Sequence, residues 1–202
     1  MPRMRVLLLS VLWLAGCGAQ PPADAPGPTA APDNPVADVP PATAPVRPAA
    51  PADAAPAITF AGFGGARFGD DEAAVHRAWG APIGGSQGEG ACRYLIPSVR
   101  GEEVFRLGFM LDGGRFVRVD VHAADIEAPG GGRVGMQADE IRRRYAGVQE
   151  QPHRYVEGGR YLRIADPAGG AGVLLFEADA SGRITEWRAG LPPHVDYVEG
   201  CS

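Results

Sequence analysis

Arg67-Phe68-Gly69-Asp70-Asp71-Glu72-Ala73-Ala74-Val75-His76-Arg77-Ala78-Trp79 decides the fold, because the phrase returns as Arg133-Val134-Gly135-Met136-Gln137-Ala138-Asp139-Glu140-Ile141-Arg142-Arg143-Arg144-Tyr145. In both copies an arginine and an apolar residue lead into a glycine, and a short amphipathic helix is predicted to follow. Val75 and Trp79, or Ile141 and Tyr145, lie four positions apart and so share one helix face. A downstream pair matches too: Gly114-Arg115-Phe116-Val117-Arg118-Val119-Asp120 answers Gly182-Arg183-Ile184-Thr185-Glu186-Trp187-Arg188. The reading is an α+β fold, a tandem repeat of a short helix followed by an antiparallel three- to four-stranded sheet, with the helices on one face. The repeat speaks to architecture and names no reaction.

Within the first copy, Asp70 or Asp71 supplies the helix cap, and Gly80-Ala81-Pro82 stops the helix. Before it, Ile58-Thr59-Phe60 and the glycines through Gly65 read as a leading strand or loop. After it, the glycines at 84, 85, 88 and 90 form a loop, and Cys92 to Ile96 forms a strand ended by Pro97. Val104 to Leu111 is a second strand, with Phe105, Leu107, Phe109 and Leu111 on one side. Asp112-Gly113-Gly114 is a hairpin signal. The returning strand alternates Val117, Val119 and Val121 inward with Arg118, Asp120 and His122 outward.

A glycine-rich linker, 123–132, leads to the second copy. Its helix opens at Gln137 or Ala138 and faces Ala138, Ile141 and Tyr145 inward, with Arg142, Arg143 and Arg144 outward. Arg154-Tyr155-Val156 reads as a short strand; Arg160 to Ala165 and Gly172 to Ala178 read as longer ones. Asp179-Ala180-Ser181-Gly182 turns the chain into a last strand, Arg183 to Ala189. The tail from Gly190 to Ser202 has no period, and is expected to lie across the sheet until Cys201 pins it. The halves are placed at about 58–125 and 132–202 of a globular domain spanning 58–202.

The amino terminus has a different composition. Residues 1–16 read as an export signal: Arg3 and Arg5, then an apolar run from Val6 to Ala15 that falls short of the about 20 residues a membrane span requires. Leu14-Ala15-Gly16-Cys17 resembles the lipobox of bacterial lipoproteins. The resemblance implies acylation of Cys17, its thiol being the nucleophile that takes the diacylglycerol, and cleavage just before it. Several acyl chains make a firm anchor, where one holds marginally. Gly18, in place of an aspartate, implies sorting to the outer membrane, periplasmic side.

Residues 17–57 then form a tether rich in Pro and Ala. Twelve of the chain's twenty prolines lie there, with too little apolar bulk to form a core. Fully extended, the segment reaches on the order of 120 Å.

The chain carries a net charge of -5 and no lysine. With arginines interleaved among acids, this argues against nucleic acid as a partner. Of three cysteines, acylation of Cys17 leaves Cys92 and Cys201 to pair as a disulfide in an oxidising compartment.

The glycine, helix, Gly-x-Pro and Asp-Gly hairpin pattern resembles small periplasmic domains. Among these are the outer-membrane assembly lipoproteins of the SmpA and OmlA type and, with two units fused, the beta-lactamase inhibitory protein. The match covers about 66–121 and 132–189, and is best from Phe68-Gly69 to Trp79-Gly80-Ala81-Pro82. The second half has Ala146-Gly147 where the Gly-x-Pro would be. Lipobox, tether and closing Cys201 also resemble those of uncharacterised proteobacterial lipoproteins. The resemblance implies protein binding by the sheet surface or outer-membrane association, with no cofactor and no chemistry.

Candidate sites are few. His76, His122, His153 and His194 have no metal-ligand spacing, and the Asp70-Asp71-Glu72 triple fits a helix cap better than a calcium loop. No Gly-x-Ser-x-Gly elbow or phosphate loop is present, so no metal, cofactor or small-molecule substrate is expected. The outward strand residues Tyr94, Arg106, Arg118, Asp120, Tyr161, Arg163, Glu186 and Arg188 are the candidate binding face, since exposed aromatics and arginines are enriched at interfaces. Tyr94, Tyr161 and Trp187 fit equally well into a core under the helices. The expectation is a non-enzymatic envelope lipoprotein that binds a protein partner. The alternatives are a passive structural component, or a hydrolase assembled from His122, Asp120 or His194.

Overall fold

The computed structural model describes residues 56–83, 85–87, 90–97 and 105–201. The signal segment, Cys17 and all but the end of the tether lie outside them. The fold is α+β, with two helices interspersed among antiparallel strands. Three two-residue strands come first: β1 (Ile58–Thr59), β2 (Gly62–Phe63) and β3 (Ala66–Arg67), paired in that order. Gly62 makes this tight triple possible, because a Cβ there would sit 2.1 Å from the Ala66 carbonyl oxygen.

Helix α1 (Glu72–Trp79) is capped by Asp71, whose Oδ1 accepts from the Ala74 N–H at 2.9 Å. Asp70 has a separate task and accepts from the Arg67 N–H at 2.8 Å. Helix α2 (Ala138–Arg144) starts at Gln137, whose N–H donates to the Glu140 carboxylate at 2.8 Å. Val75 and Ile141 are fully buried in the same core, while Trp79 and Tyr145 pack partly buried at its edge.

Eight strands form one antiparallel sheet, β4-β5-β6-β7-β11-β10-β9-β8. They are β4 (Gly85–Gln87), β5 (Cys92–Ile96), β6 (Leu107–Asp112), β7 (Arg115–Val121), β8 (Gln149–Pro152), β9 (Arg160–Ala165), β10 (Val173–Ala178) and β11 (Ile184–Gly190). At the centre β7 pairs with β11, Val121 opposite Trp187 and Val119 opposite Ala189. The two copies of the opening phrase attach to these central strands in the same way. The Gly69 N–H donates to the Phe116 carbonyl at 2.7 Å, and the Gly135 N–H to the Ile184 carbonyl at 2.8 Å. Both glycines hold positive φ, 98° and 91°, which lets the chain leave the sheet and enter its helix.

The helix-side core gathers Leu107, Phe109, Leu111, Phe116, Val119, Leu162, Leu174, Phe176 and Trp187 against both helices and β1–β3. Its expected alternation fails at two places. Val117 is the extra residue of a bulge, because Leu111 faces Phe116 while Met110 faces Arg118; Phe116 takes the inward place. Phe105 lies before β6 on the opposite face, against the rings of Tyr94 and His122.

The edge strands also differ from expectation. β4 forms where a loop was predicted, and β8 is Gln149–Pro152 instead of Arg154-Tyr155-Val156. Every residue of β8 is exposed, so it has no apolar alternation, and backbone pairing alone defines it. The Tyr155 and Val156 N–H groups cannot join a ladder because both donate to His153 Nδ1, each at 3.1 Å.

Candidate functional site

Opposite the helices, strand alternation brings charged and aromatic side chains together on one sheet face. β5 supplies Tyr94, β7 Arg118 and Asp120, β11 Glu186 and Arg188, β10 Leu175 and Glu177, and β9 Tyr161 and Arg163. The register sets Asp120 opposite Arg188, and Glu186 opposite Glu177. Two carboxylates directly opposed across strands repel. Arg188 offsets this by binding both Glu177 and Glu186. His122 adds a contact to Glu186 at 3.1 Å, and His153 Nε2 one to Glu177 at 2.9 Å.

The carboxyl-terminal strap, Leu191 to Cys201, runs over this face. The Leu191 N–H donates to the Val117 carbonyl at 2.9 Å, and a single 3-10 turn follows at His194–Asp196. Val195 is fully buried against Tyr161, Val173 and Leu175. Beside it, Arg118 Nη1 donates to the carbonyls of His194 and Tyr197, each at 2.7 Å, and Arg188 Nε donates to the carbonyl of Val195 at 2.7 Å. Arg118 also reaches Asp120 through Nε at 2.9 Å and Nη2 at 2.8 Å, and the Tyr94 hydroxyl at 2.6 Å. All five of its N–H donors are therefore satisfied. The disulfide between Cys92 on β5 and Cys201, with Cα atoms 5.3 Å apart, closes the strap.

Burial shapes the electrostatics. Arg118 and Arg188 are each 2% exposed and Asp120 is 6% exposed, so each charge depends on a partner. Burial works against the Arg118 cation, but the Asp120 carboxylate and Tyr94 outweigh it and hold the guanidinium above its usual range. Burial, aided by the Asp120 charge, pushes the Tyr94 phenol well up. Glu177 is raised, chiefly by burial. Burial also opposes the Glu186 charge, yet His122 and Arg188 prevail and bring it down to about 2. His122 is raised: burial disfavours its cation, and Glu186 more than compensates.

Seven of the eight expected binding-face residues thus share this face, and Arg106 pairs with Asp125 at 2.6 Å beyond the end of β7. The face is covered, not open. Arg118, Asp120, Tyr161 and Arg188 are buried beneath the strap, because its carbonyls and Val195 complete them. Trp187 belongs to the helix-side core, whereas Tyr94 and Tyr161 lie on the strap side. Two members of the network were missed, Glu177 and His153. Glu177 had a signal, a lone acid inside the apolar run Val173 to Ala178; His153 had none.

The hydrolase candidates are engaged separately. Asp120 is held by Arg118, His122 by Glu186, and His194 Nε2 by Asp112 at 2.9 Å. A cavity of about 690 Å³ lies at the end of the strap, lined by Cys92, Asp112, Arg154, Tyr197, Glu199 and Cys201 among others. A second, of about 260 Å³, lies between the start of α2 and the β10–β11 turn. Neither gathers the three groups. Among the described residues, no cluster of three or more His, Cys, Asp or Glu is placed to hold a metal ion.

No protein-family model matches the chain, and no curated protein matches it. Among solved structures, the chain is similar to an extracellular protein containing a SCP domain from Bacillus anthracis str. Ames. The identity is 9% and the TM-score 0.41, over 62% of this chain and 44% of that one. A likeness at this level carries no argument about fold or function.

Proposed function

We propose that this chain is a non-enzymatic envelope lipoprotein, anchored through acylated Cys17 to the periplasmic side of the outer membrane, that presents a protein-binding module on a Pro/Ala tether. The module is a duplicated unit of one short helix and four strands, of the kind found in the SmpA and OmlA type and the beta-lactamase inhibitory protein. No cofactor, nucleic acid or small-molecule substrate enters this reading. The observation that carries it is the use of two buried arginines, Arg118 and Arg188, to grip main-chain carbonyls. Fixed guanidinium donors aimed at main-chain carbonyls suit a polypeptide, since every residue of one offers that acceptor.

Two measurements test the reading. Growth with an alkyne analogue of palmitate labels the wild-type chain but not Cys17→Ser, and the labelled chain sediments with outer membrane; an unlabelled, soluble chain overturns the anchor. Photo-crosslinkers placed at Tyr155 and Tyr197, which are 58% and 43% exposed, give discrete protein adducts in intact cells. Failure to form any adduct favours a second reading, a passive envelope component. That reading draws support from the internally satisfied face and the closing disulfide, Cys92–Cys201.

A further inference from the structure

We infer that the sheet face under the strap is a peptide-binding surface whose resident occupant is the strap itself, and that opening Cys92–Cys201 exchanges the strap for a partner segment. The ligand class is a short polypeptide with a β-branched aliphatic residue followed by an acidic one. The inference rests on the protein-binding reading above and adds the site, the ligand and the condition for access.

The strap shows what the surface takes. Its three carbonyls, from His194, Val195 and Tyr197, are read by Arg118 and Arg188, and any L-peptide in the same turn offers those acceptors. Side-chain selection rests on two positions. Val195 fills the apolar hollow of Tyr161, Val173 and Leu175, and Asp196 pairs with Arg163 at 3.2 Å. His194 adds its bond to Asp112.

The strap is tied at both ends, by Leu191 to β7 and by Cys201 to Cys92. A segment so tied competes as an intramolecular ligand, at an effective concentration on the order of millimolar or above. The lock is within reach, because Cys92 and Cys201 are only partly buried and both line the 690 Å³ cavity. A dithiol reductant suffices as co-reactant. One thiolate attacks one sulfur of the disulfide, displacing the other as thiolate and leaving a mixed disulfide; the second thiol then resolves it. The protein ends with two thiols, which take the two protons the reductant loses, and the reductant ends as a disulfide.

The probe is a fluorescent synthetic peptide with the sequence of residues 191–200, titrated with the full chain and read by anisotropy. Oxidised protein is expected not to bind it, dithiothreitol-treated protein and Cys201→Ser to bind it, and the Val195→Asp form of the peptide to bind neither. Val195→Asp in the protein, after reduction, weakens the resident strap without touching the helix-side core, and tightens peptide binding at least about tenfold by removing the tethered competitor. Equal binding by oxidised and reduced protein overturns the lock. No binding by reduced wild type or reduced Val195→Asp, both folded by far-ultraviolet circular dichroism, overturns the surface. If the oxidised protein still gives discrete adducts in cells, protein binding stands and this site is the wrong one.

Discussion

Arg188 Nε donates to the Val195 carbonyl oxygen at 2.7 Å, so one guanidinium on a central strand joins the strap to the opposed carboxylates of Glu177 and Glu186. Removing that guanidinium takes away the cation that the opposed carboxylates share and leaves each with a histidine alone, Glu177 with His153 and Glu186 with His122. Arg188→Ala is expected to cost about 3–5 kcal/mol, the usual penalty for breaking a buried ion pair from one side. Urea denaturation measures it. The double variant Arg188→Met with Glu177→Leu is expected to recover most of the loss, because apolar groups replace the pair and His122 still holds Glu186. A double variant as unstable as Arg188→Ala would show that the strap contact, not the stranded charge, sets the cost.

Ile141 is fully buried, as its counterpart Val75 is. Ile141→Ala is expected to cost about 2–5 kcal/mol and Ile141→Val about 0.5–1.5 kcal/mol, the range for large-to-small changes in a packed core. A shift in the denaturation midpoint at unchanged slope checks this. An Ala variant costing less than the Val variant's range would mean that the α2 seat collapses freely.

Gly69 and Gly135 occupy equivalent turns at φ of 98° and 91°. Alanine at either is expected to cost roughly 1–2 kcal/mol through left-handed backbone strain. The two losses are expected to be similar, since neither glycine has backbone close enough to obstruct a Cβ. A large disparity in thermal or urea midpoints would break the equivalence of the two turns.

Stability is expected to peak in mildly acidic solution. His122 is raised above the usual 6.5 of a histidine, so its contribution is complete below that pH and is lost as pH rises through the folded value. Glu186, lowered to about 2 from 4.5, contributes above pH 4.5 and loses that contribution as pH falls toward 2. Glu177 runs the other way: its raised value subtracts stability as pH climbs past 4.5. His122→Gln is expected to flatten the alkaline-side decline in unfolding free energy measured from pH 5 to 9. A decline that persists unchanged in that variant assigns it to another group.

Reduction of Cys92–Cys201 is expected to free the strap before the sheet. Native-state hydrogen exchange should speed up at the Val195 and Tyr197 amides, which bond only within the strap, while Leu174 and Phe176 in β10 stay protected. Uniform loss of protection across all four amides would mean that the disulfide supports the whole fold rather than the strap.

Much of this was legible in the chain. The α1 cap and its Gly80 stop, the Asp112-Gly113-Gly114 hairpin, the bounds of β9 and the burial of Val75 and Ile141 all follow from patterns within a few residues of each other. A period of 3.6 or 2, a cap or a turn is a local steric fact. The edge strands were hidden for the same reason: β8 buries nothing and carries no pattern. The Val117 bulge was hidden because it is an offset between β6 and β7, a property of the pair and not of either strand.

By itself, then, the sequence determined two helix-and-hairpin units, an alternation that gathers arginines and acids on one side of each strand, and one cysteine in the first half, Cys92, to pair with one near the end of the chain, Cys201. Only the tertiary structure decided that β7 and β11 join those units at the centre, and that the charged side is interior. A strand's period states which residues share a face and is silent on what covers it. Here the cover is eleven residues from Leu191 to Cys201, whose carbonyls complete Arg118 and Arg188 and so turn an apparent surface into a second, polar core.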